Sequence, residues 1–457
     1  MGDVIDQDVM ARARALMPEL RSDLEALVRI ASVSVPGRVD QPLLEAFELT
    51  SRLFAGAGVT VDRLDLPDTA PVVTGEIAAP AGAPTVLLYS HYDVVPAGDE
   101  TLWSSPPFEP TERGEALVGR GVADTKSNVL AHVGALRAWG GRPPVGIKLC
   151  IEGYEEIGSG ALTGYPATNP ERFQANALVI GDMGSIRPGI PTLTIALRGM
   201  ANVTVEVRTL ASGKHSGMYG GAAPDALLAI LRALASLHDA NGDVAVAGLR
   251  RSEWEGEQQP EEDFRELGTV LDGMPLVGTG GLGARVWSGP AITVVGIDVP
   301  SVDGAVNAVS PYARAAVNVR VHPEQDAAEA QDAVIRHLRE QRPFGIELDV
   351  QPGPTGNGFA ATTEGPAYAA ARAAWSKAWG RDVMLAGSGG SIPIVSALAR
   401  ALPDAEALLV GTADGFANIH GPDERLLLSE FENAVLAEAE FLGLYAATFG
   451  GKAVDRR

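Results

Sequence analysis

Five short stretches of the chain carry side chains able to bind a metal ion or move a proton. They are His91 and Asp93 in SHYDVVP, Asp124 in GRGVADTKSN, Glu155 and Glu156 in IEGYEEIGSG, Asp182 directly after ALVIG, and His420 in NIHGPDE. An imidazole with a carboxylate two residues on suits a metal ligand whose second ring N–H is held by the acid. By itself, HxD is also an ordinary surface loop. Asp124 falls where glycines give way to a helical pattern, a place where aspartate serves equally as an N-cap. Two adjacent glutamates beyond an apolar run are costly to bury unless a cation lies between them. With a cation, one can bind it while the other acts as general base; without one, the pair is a solvated acidic turn.

The elements around these residues make the combination more informative than its parts. Apolar runs at 84–89, 145–151, 177–180 and 407–410 read as buried strands, and a ligand-type residue follows each of them. Helical patterns cover 8–58, 126–139 and 429–445, so strands and helices alternate as they do around a parallel sheet. Open α/β sheets bind ligands at the carboxyl ends of their strands, which is where this reading puts the acids and histidines. From about residue 198 the pattern changes: Val203, Val205 and Val207 alternate with Thr204, Glu206 and Arg208, as in a strand with one wet face. Helices at 225–238 and 325–341 and strands at 292–299, 312–321 and 346–350 complete a smaller α+β unit with helices on one face. The expected fold class is α/β, a mostly parallel catalytic sheet formed by residues 1–197 and 356–457, with an α+β domain of residues 198–355 inserted.

Composition limits the partners. The 457 residues hold 36 Lys+Arg against 58 Asp+Glu, a net charge of −22, which argues against nucleic acid or anionic membrane binding through a basic surface. One cysteine, Cys150, permits neither an intrachain disulfide nor a thiolate metal cluster, so a reducing cytoplasm is the expected compartment. No signal-peptide pattern or membrane-length apolar run is visible. Small molecules are the expected partners. Gly278, Gly280 and Gly283 match the GxGxxG spacing of dinucleotide-binding loops, but no strand precedes them and no full helix follows, so they read as a loop. GxSxG is absent, and Cys150 sits inside an apolar run as inert core. His132, His238, His322 and His337 are assigned to packing or surface.

In order along the chain, HYDVVP, WSSPPFEP at Trp103, GRGVADTKSN, EGYEEIGS, the aspartate after ALVIG, HSGMYGG at His215, RVHPEQ at Arg320, GGSIP at Ser391 and HGPDE form a series. This series resembles the zinc-dependent peptidases and deacylases that include carnosinase-like dipeptidases, carboxypeptidase G, aminoacylase, and the acetylornithine and succinyl-diaminopimelate deacylases. The resemblance spans nearly the whole chain and is nearest to the dipeptidase branch. It implies two Zn2+ per subunit, with Mn2+ or Co2+ also compatible. Asp124 would bridge them, His91 and Asp182 would hold one, and Glu156 and His420 the other. Asp93 would orient His91, and Glu155 would be the general base acting on a zinc-bridging water. His215 would stabilise the oxyanion across a homodimer formed by the inserted lid domain, while Arg320, Asn307 and Ser391 would contact substrate. The implied reaction is hydrolysis of the amide bond of dipeptides or short peptides with a free C-terminal carboxylate. N-acyl-amino-acid deacylation at the same site is the alternative. Ser127, Gly213, Lys214, Gly387 and Ser388 depart from the pattern, and they bear on substrate preference rather than on metal ligands.

Overall fold

The computed structural model describes residues 3–390 and 392–451. They form two compact units, one within Met1–Ile195, Ala361–Ala386 and Ile392–Arg457, the other within Ala196–Ala360 and Gly387–Ser391. In the first unit, four parallel strands lie side by side in the order Gly146–Glu152, Thr85–His91, Ala177–Gly181 and Glu406–Val410. Almost every residue of these strands is buried, which is why they read as continuous apolar runs rather than alternating ones. Val72–Ile77 and Thr60–Leu64 extend one side of this centre antiparallel, and Thr192–Leu197 pairs antiparallel with Glu406–Val410 on the other. Thr60–Leu64 and Val72–Ile77 do not stand out in the sequence, because polar residues and Gly75 break their apolar runs.

The helices of this unit cross one another closely. Ser127–Ala138 is buried at every position except Arg137 and packs between Asp3–Val28 and Leu428–Gly451. Gly134 makes that approach possible, since a Cβ there would lie 2.7 Å from Leu20 and 2.8 Å from Val435 side-chain atoms. Leu428–Gly451 packs in turn against Pro366–Trp379.

The second unit is a four-stranded antiparallel sheet in the order Ala291–Asp298, Tyr312–Val321, Gly199–Arg208, Asp349–Gly356. Alternate residues Ala201, Val203, Val205 and Val207, with Ala313 to Val321 at every second position, form its core with helices Ala226–Ala235 and Ala327–Gln341. Asp225 and Asp326 cap these helices by accepting their first backbone N–H groups. The last strand starts three residues later than the apolar run 346–350 and includes Pro352 and Pro354. An edge position tolerates them, because prolines there lose no ladder hydrogen bond on the open side. The Gly278–Gly283 stretch follows no strand, leads only into the five-residue helix Leu282–Val286, and is tied down by Asp243 accepting from Thr279. No helix among the described residues is long and apolar enough to cross a membrane.

One buried ion pair links the first unit's sheet to its helices. His132, 1% exposed, meets Glu438 through Nδ1 at 2.7 Å and the Tyr89 carbonyl through Nε2 at 3.0 Å. Both ring nitrogens face acceptors, so both carry a proton. Burial opposes the charge, yet Glu438 raises the His132 pKa above its ordinary value. With the folded pKa above the unfolded value of about 6.5, this stabilisation is complete below pH 6.5 and fades as pH rises through the folded pKa. His132→Leu, which strands Glu438, should cost about 3–5 kcal/mol at pH 6 and less at pH 9, measured by urea unfolding. A difference independent of pH would contradict the charged pair.

Candidate metal centre

The carboxyl ends of three adjacent strands, the turn before a buried helix and one long loop bring the sequence-derived residues together. His91 ends its strand opposite Glu152, Asp182 follows Gly181 on the neighbouring strand, and Glu155 and Glu156 occupy the turn beyond Glu152. Asp124 lies in the irregular turn Val122–Lys126 that leads into Ser127–Ala138. Gly121 opens this turn at φ +81°, and a Cβ there would meet Val94 at 2.4 Å. Behind it, Thr125 Oγ1 donates to Gly181 O, and Asn128 accepts from the backbone N–H of Thr412. His91 Nε2 is 3.2 Å from both Asp124 Oδ1 and Asp182 Oδ1. His420 Nε2 is 3.0 Å from Asp124 Oδ2 and 3.1 Å from Glu156 Oε2. Two triads result, His91–Asp124–Asp182 and Asp124–Glu156–His420, each with ligand atoms within 4.8 Å of one another and sharing Asp124. Glu155 belongs to neither; its Oε2 stands 3.9 Å from His91 Nε2.

The acids and imidazoles of this cluster shift one another's proton affinity. Burial alone would neutralise His91, but Asp182, Asp124 and Asp93 raise its pKa well above the imidazole value. Hydrogen bonds to Asp124 and Glu156 push His420 up to about 10. Burial would raise Asp124, yet hydrogen bonds from His420 and His91 hold it below the usual carboxylate range. Burial lifts Asp182 to about 6 against the pull of His91, and lifts Glu155 well above the carboxylate range, with Asp182 adding to the effect. Glu156 Oε1 is buried and makes no hydrogen bond. Four carboxylates around two imidazoles, one acid oxygen unpaired, and nitrogen and oxygen donors without sulfur fit a pair of divalent cations such as Zn2+, Mn2+ or Co2+.

His215, Asn307 and Arg320 lie in the second unit. His215 is exposed in a two-residue strand beside Ala308–Val309, its Nδ1 accepting from Gly217 N, and Ser216 N donates to Asn307 O, so His215 and Asn307 are neighbours. Arg320 is half-buried on the sheet face opposite the helices, and burial lowers its pKa. Ser391 lies outside the described residues.

Asp93 does more than its spacing to His91 indicated. His91 Nδ1 lies 3.1 Å from the Asp93 carbonyl and 3.3 Å from its carboxylate, and that carboxylate also accepts the backbone N–H groups of Glu155 and Glu156, both at 3.2 Å. Two further buried acids escaped the sequence reading. Glu152 accepts from Tyr89 and Ser159 hydroxyls and is raised to about 7 by burial. Glu424 accepts from the Asp124 turn; its only signal was an acid four residues after His420. Asp93→Ala should leave the fold intact while amide exchange at Glu155 and Glu156 quickens about tenfold, the loss of one charge-assisted bond of about 1.5 kcal/mol. Unchanged exchange would show that the turn holds itself.

Comparison with known proteins places this arrangement. The sequence profile of Peptidase family M20/M25/M40 matches residues 87–443. The chain is 40% identical over 420 residues to the cysteinylglycine-S-conjugate dipeptidase of Corynebacterium striatum, covering 90% of this chain and 92% of that one. It is 27% identical over 413 residues to the Beta-Ala-His dipeptidase of Rattus norvegicus, covering 82% of each. In fold it is similar to the di-peptidase Dug1p of Saccharomyces cerevisiae, with a TM-score of 0.79 at 21% identity over 98% of this chain and 99% of that one. Human carnosine dipeptidase 1 gives the same TM-score at 24% identity, over 97% and 99%. A profile match across most of the chain and a close relative of nearly equal extent agree with the acid and histidine cluster: the chain belongs to peptidase family M20/M25/M40.

Proposed function

We propose that this chain is a metallo-dipeptidase that hydrolyses the amide bond of dipeptides and short peptides bearing a free C-terminal carboxylate. The observation that carries the reading is the pair of triads sharing Asp124, with Glu155 beside them and belonging to neither. Names of relatives at 40% and 27% identity, both dipeptidases, support the substrate class. His91, Asp124 and Asp182 would hold one Zn2+ and Asp124, Glu156 and His420 a second, with Mn2+ or Co2+ as substitutes. When bound, the ions supply Lewis acidity to the scissile carbonyl and make the attacking water more acidic.

The chain's own residues do the rest. Glu155 takes the proton of the attacking water at its carboxylate and returns it to the leaving amine. Asp93 fixes the His91 ring and the Glu155–Glu156 turn together, which keeps base and ligands in register. Arg320, a planar bidentate donor, suits the substrate carboxylate, with Asn307 and Ser391 as further contacts. His215 is assigned to the oxyanion, donated within the subunit or by a partner. The inserted unit offers an edge strand, Ala291–Asp298, with Val294, Val295 and Ile297 exposed, which supports pairing into a homodimer.

Chelated protein should hydrolyse no dipeptide and recover with Zn2+ or Mn2+. Glu155→Gln should still bind two equivalents of zinc while kcat falls about 10²- to 10⁴-fold. A panel of free dipeptides against acetylated and succinylated amino acids tests the substrate class. Turnover of the dipeptides is expected; turnover of the acylated amino acids alone would replace this reading with a deacylase.

A further inference from the structure

Glu424 has no part in either triad, yet its carboxylate is the most fully engaged acid beside them. It is 0% exposed. Its Oε1 accepts from the backbone N–H groups of Ala123 at 2.9 Å and Asp124 at 3.0 Å, and its Oε2 accepts from Arg120 Nη1 at 2.6 Å and Gly121 N at 3.0 Å. One backbone bond adds to this, Gly119 N donating to Glu424 O at 2.9 Å, and the Arg120 side chain donates from Nη2 to Gly421 O at 3.0 Å, next to His420. The Arg120 guanidinium in turn lies 5.1 Å over the Trp103 ring. Segments about 300 residues apart in sequence are thereby closed into one hydrogen-bonded body.

Glu424 is one of several anchors of this loop; Asp423 also accepts from Ser104 N and Oγ, and Arg425 pairs with Asp414. His420 and Asp423 both sit at left-handed φ, +62° and +54°, a conformation that costs non-glycine residues energy, though less for His and Asp than for most. The His420 side chain is 54% exposed, so packing does not hold it. His91 is the opposite case: fully buried at a strand end, with Asp93 beside its ring.

We propose that Glu424 is a positioning residue for the metal centre, fixing the Asp124 turn to the His420 loop and so setting the metal affinity of the Asp124–Glu156–His420 triad in particular. This rests on the metal reading above. Gln is nearly the same shape but turns an NH2 group toward two of the four donors, so Glu424→Gln removes the anchor with little change in volume.

The test is a zinc titration of the full chain against a chromophoric chelator, with circular dichroism to verify folding. Wild type should bind two equivalents. In Glu424→Gln one of the two dissociation constants should weaken about 10- to 100-fold, the other distinctly less, and excess zinc should restore kcat with KM for a dipeptide unchanged. Folded Glu424→Gln with both constants unchanged, or with both weakened alike, overturns the proposal. If Glu424→Gln does not fold, Glu424→Asp, which keeps the charge and shortens the reach, is read in the same way; if neither folds, Glu424 is a folding residue and the proposal fails. Wild type that binds no zinc would instead refute the metal reading itself.

Discussion

Everything in the larger unit answers to one electrostatic constraint: Asp124, Glu155, Glu156 and Asp182 are gathered around two imidazoles at a largely buried sheet edge. Like charges at such separations in a low-dielectric site cannot all ionise without compensation. The surrounding acids raise the pKa of His91 and His420, and burial raises that of Asp182. A metal cofactor is the stronger compensation, and nitrogen and oxygen donors without sulfur suit a divalent cation. Membership of peptidase family M20/M25/M40 agrees with that chemistry.

The fold supplies this edge at small cost to the core. Parallel pairing in register brings His91 level with Glu152 and Gly181 level with Val410, so the polar residues emerge at the strands' common end while the apolar runs stay buried. Holding them there takes a second set of acids that carry no triad role. Asp93 secures one turn and one ring, Glu424 secures two loops, and His132, paired with Glu438 on a neighbouring helix, holds the helix behind Asp124 to the Tyr89 carbonyl of the sheet. Each of these acids is satisfied by backbone N–H groups, a histidine or an arginine, which is what allows it to be buried.

The sequence made the strands and the acids and histidine at their ends legible, because a fully buried strand is an uninterrupted apolar run and the change to His, Asp or Glu marks its end. The alternation in Gly199–Arg208 and Tyr312–Val321 was equally plain, since one face of each strand is wet. What sequence could not disclose were partnerships across long separations. Nothing local marks Glu424 as the acceptor for Asp124 N–H, or Glu438 as the partner of His132, because each acid looks like any polar residue of a loop or helix. The second role of Asp93 was hidden for another reason: spacing reports which residues are near in the chain, not which backbone groups a side chain faces. The apolar run 346–350 marks only the start of the strand Asp349–Gly356, whose later residues include prolines that an edge strand tolerates.

Anomalous diffraction at the zinc absorption edge, from crystals of the full chain grown with zinc, tests the central claim most directly. The account predicts two peaks per subunit. One should lie about 2.0–2.2 Å from donor atoms of His91, Asp124 and Asp182, the other at the same range from Asp124, Glu156 and His420, with Glu155 bound to neither. Absence of both peaks, or zinc held by other residues while these six side chains keep only one another for partners, would contradict it.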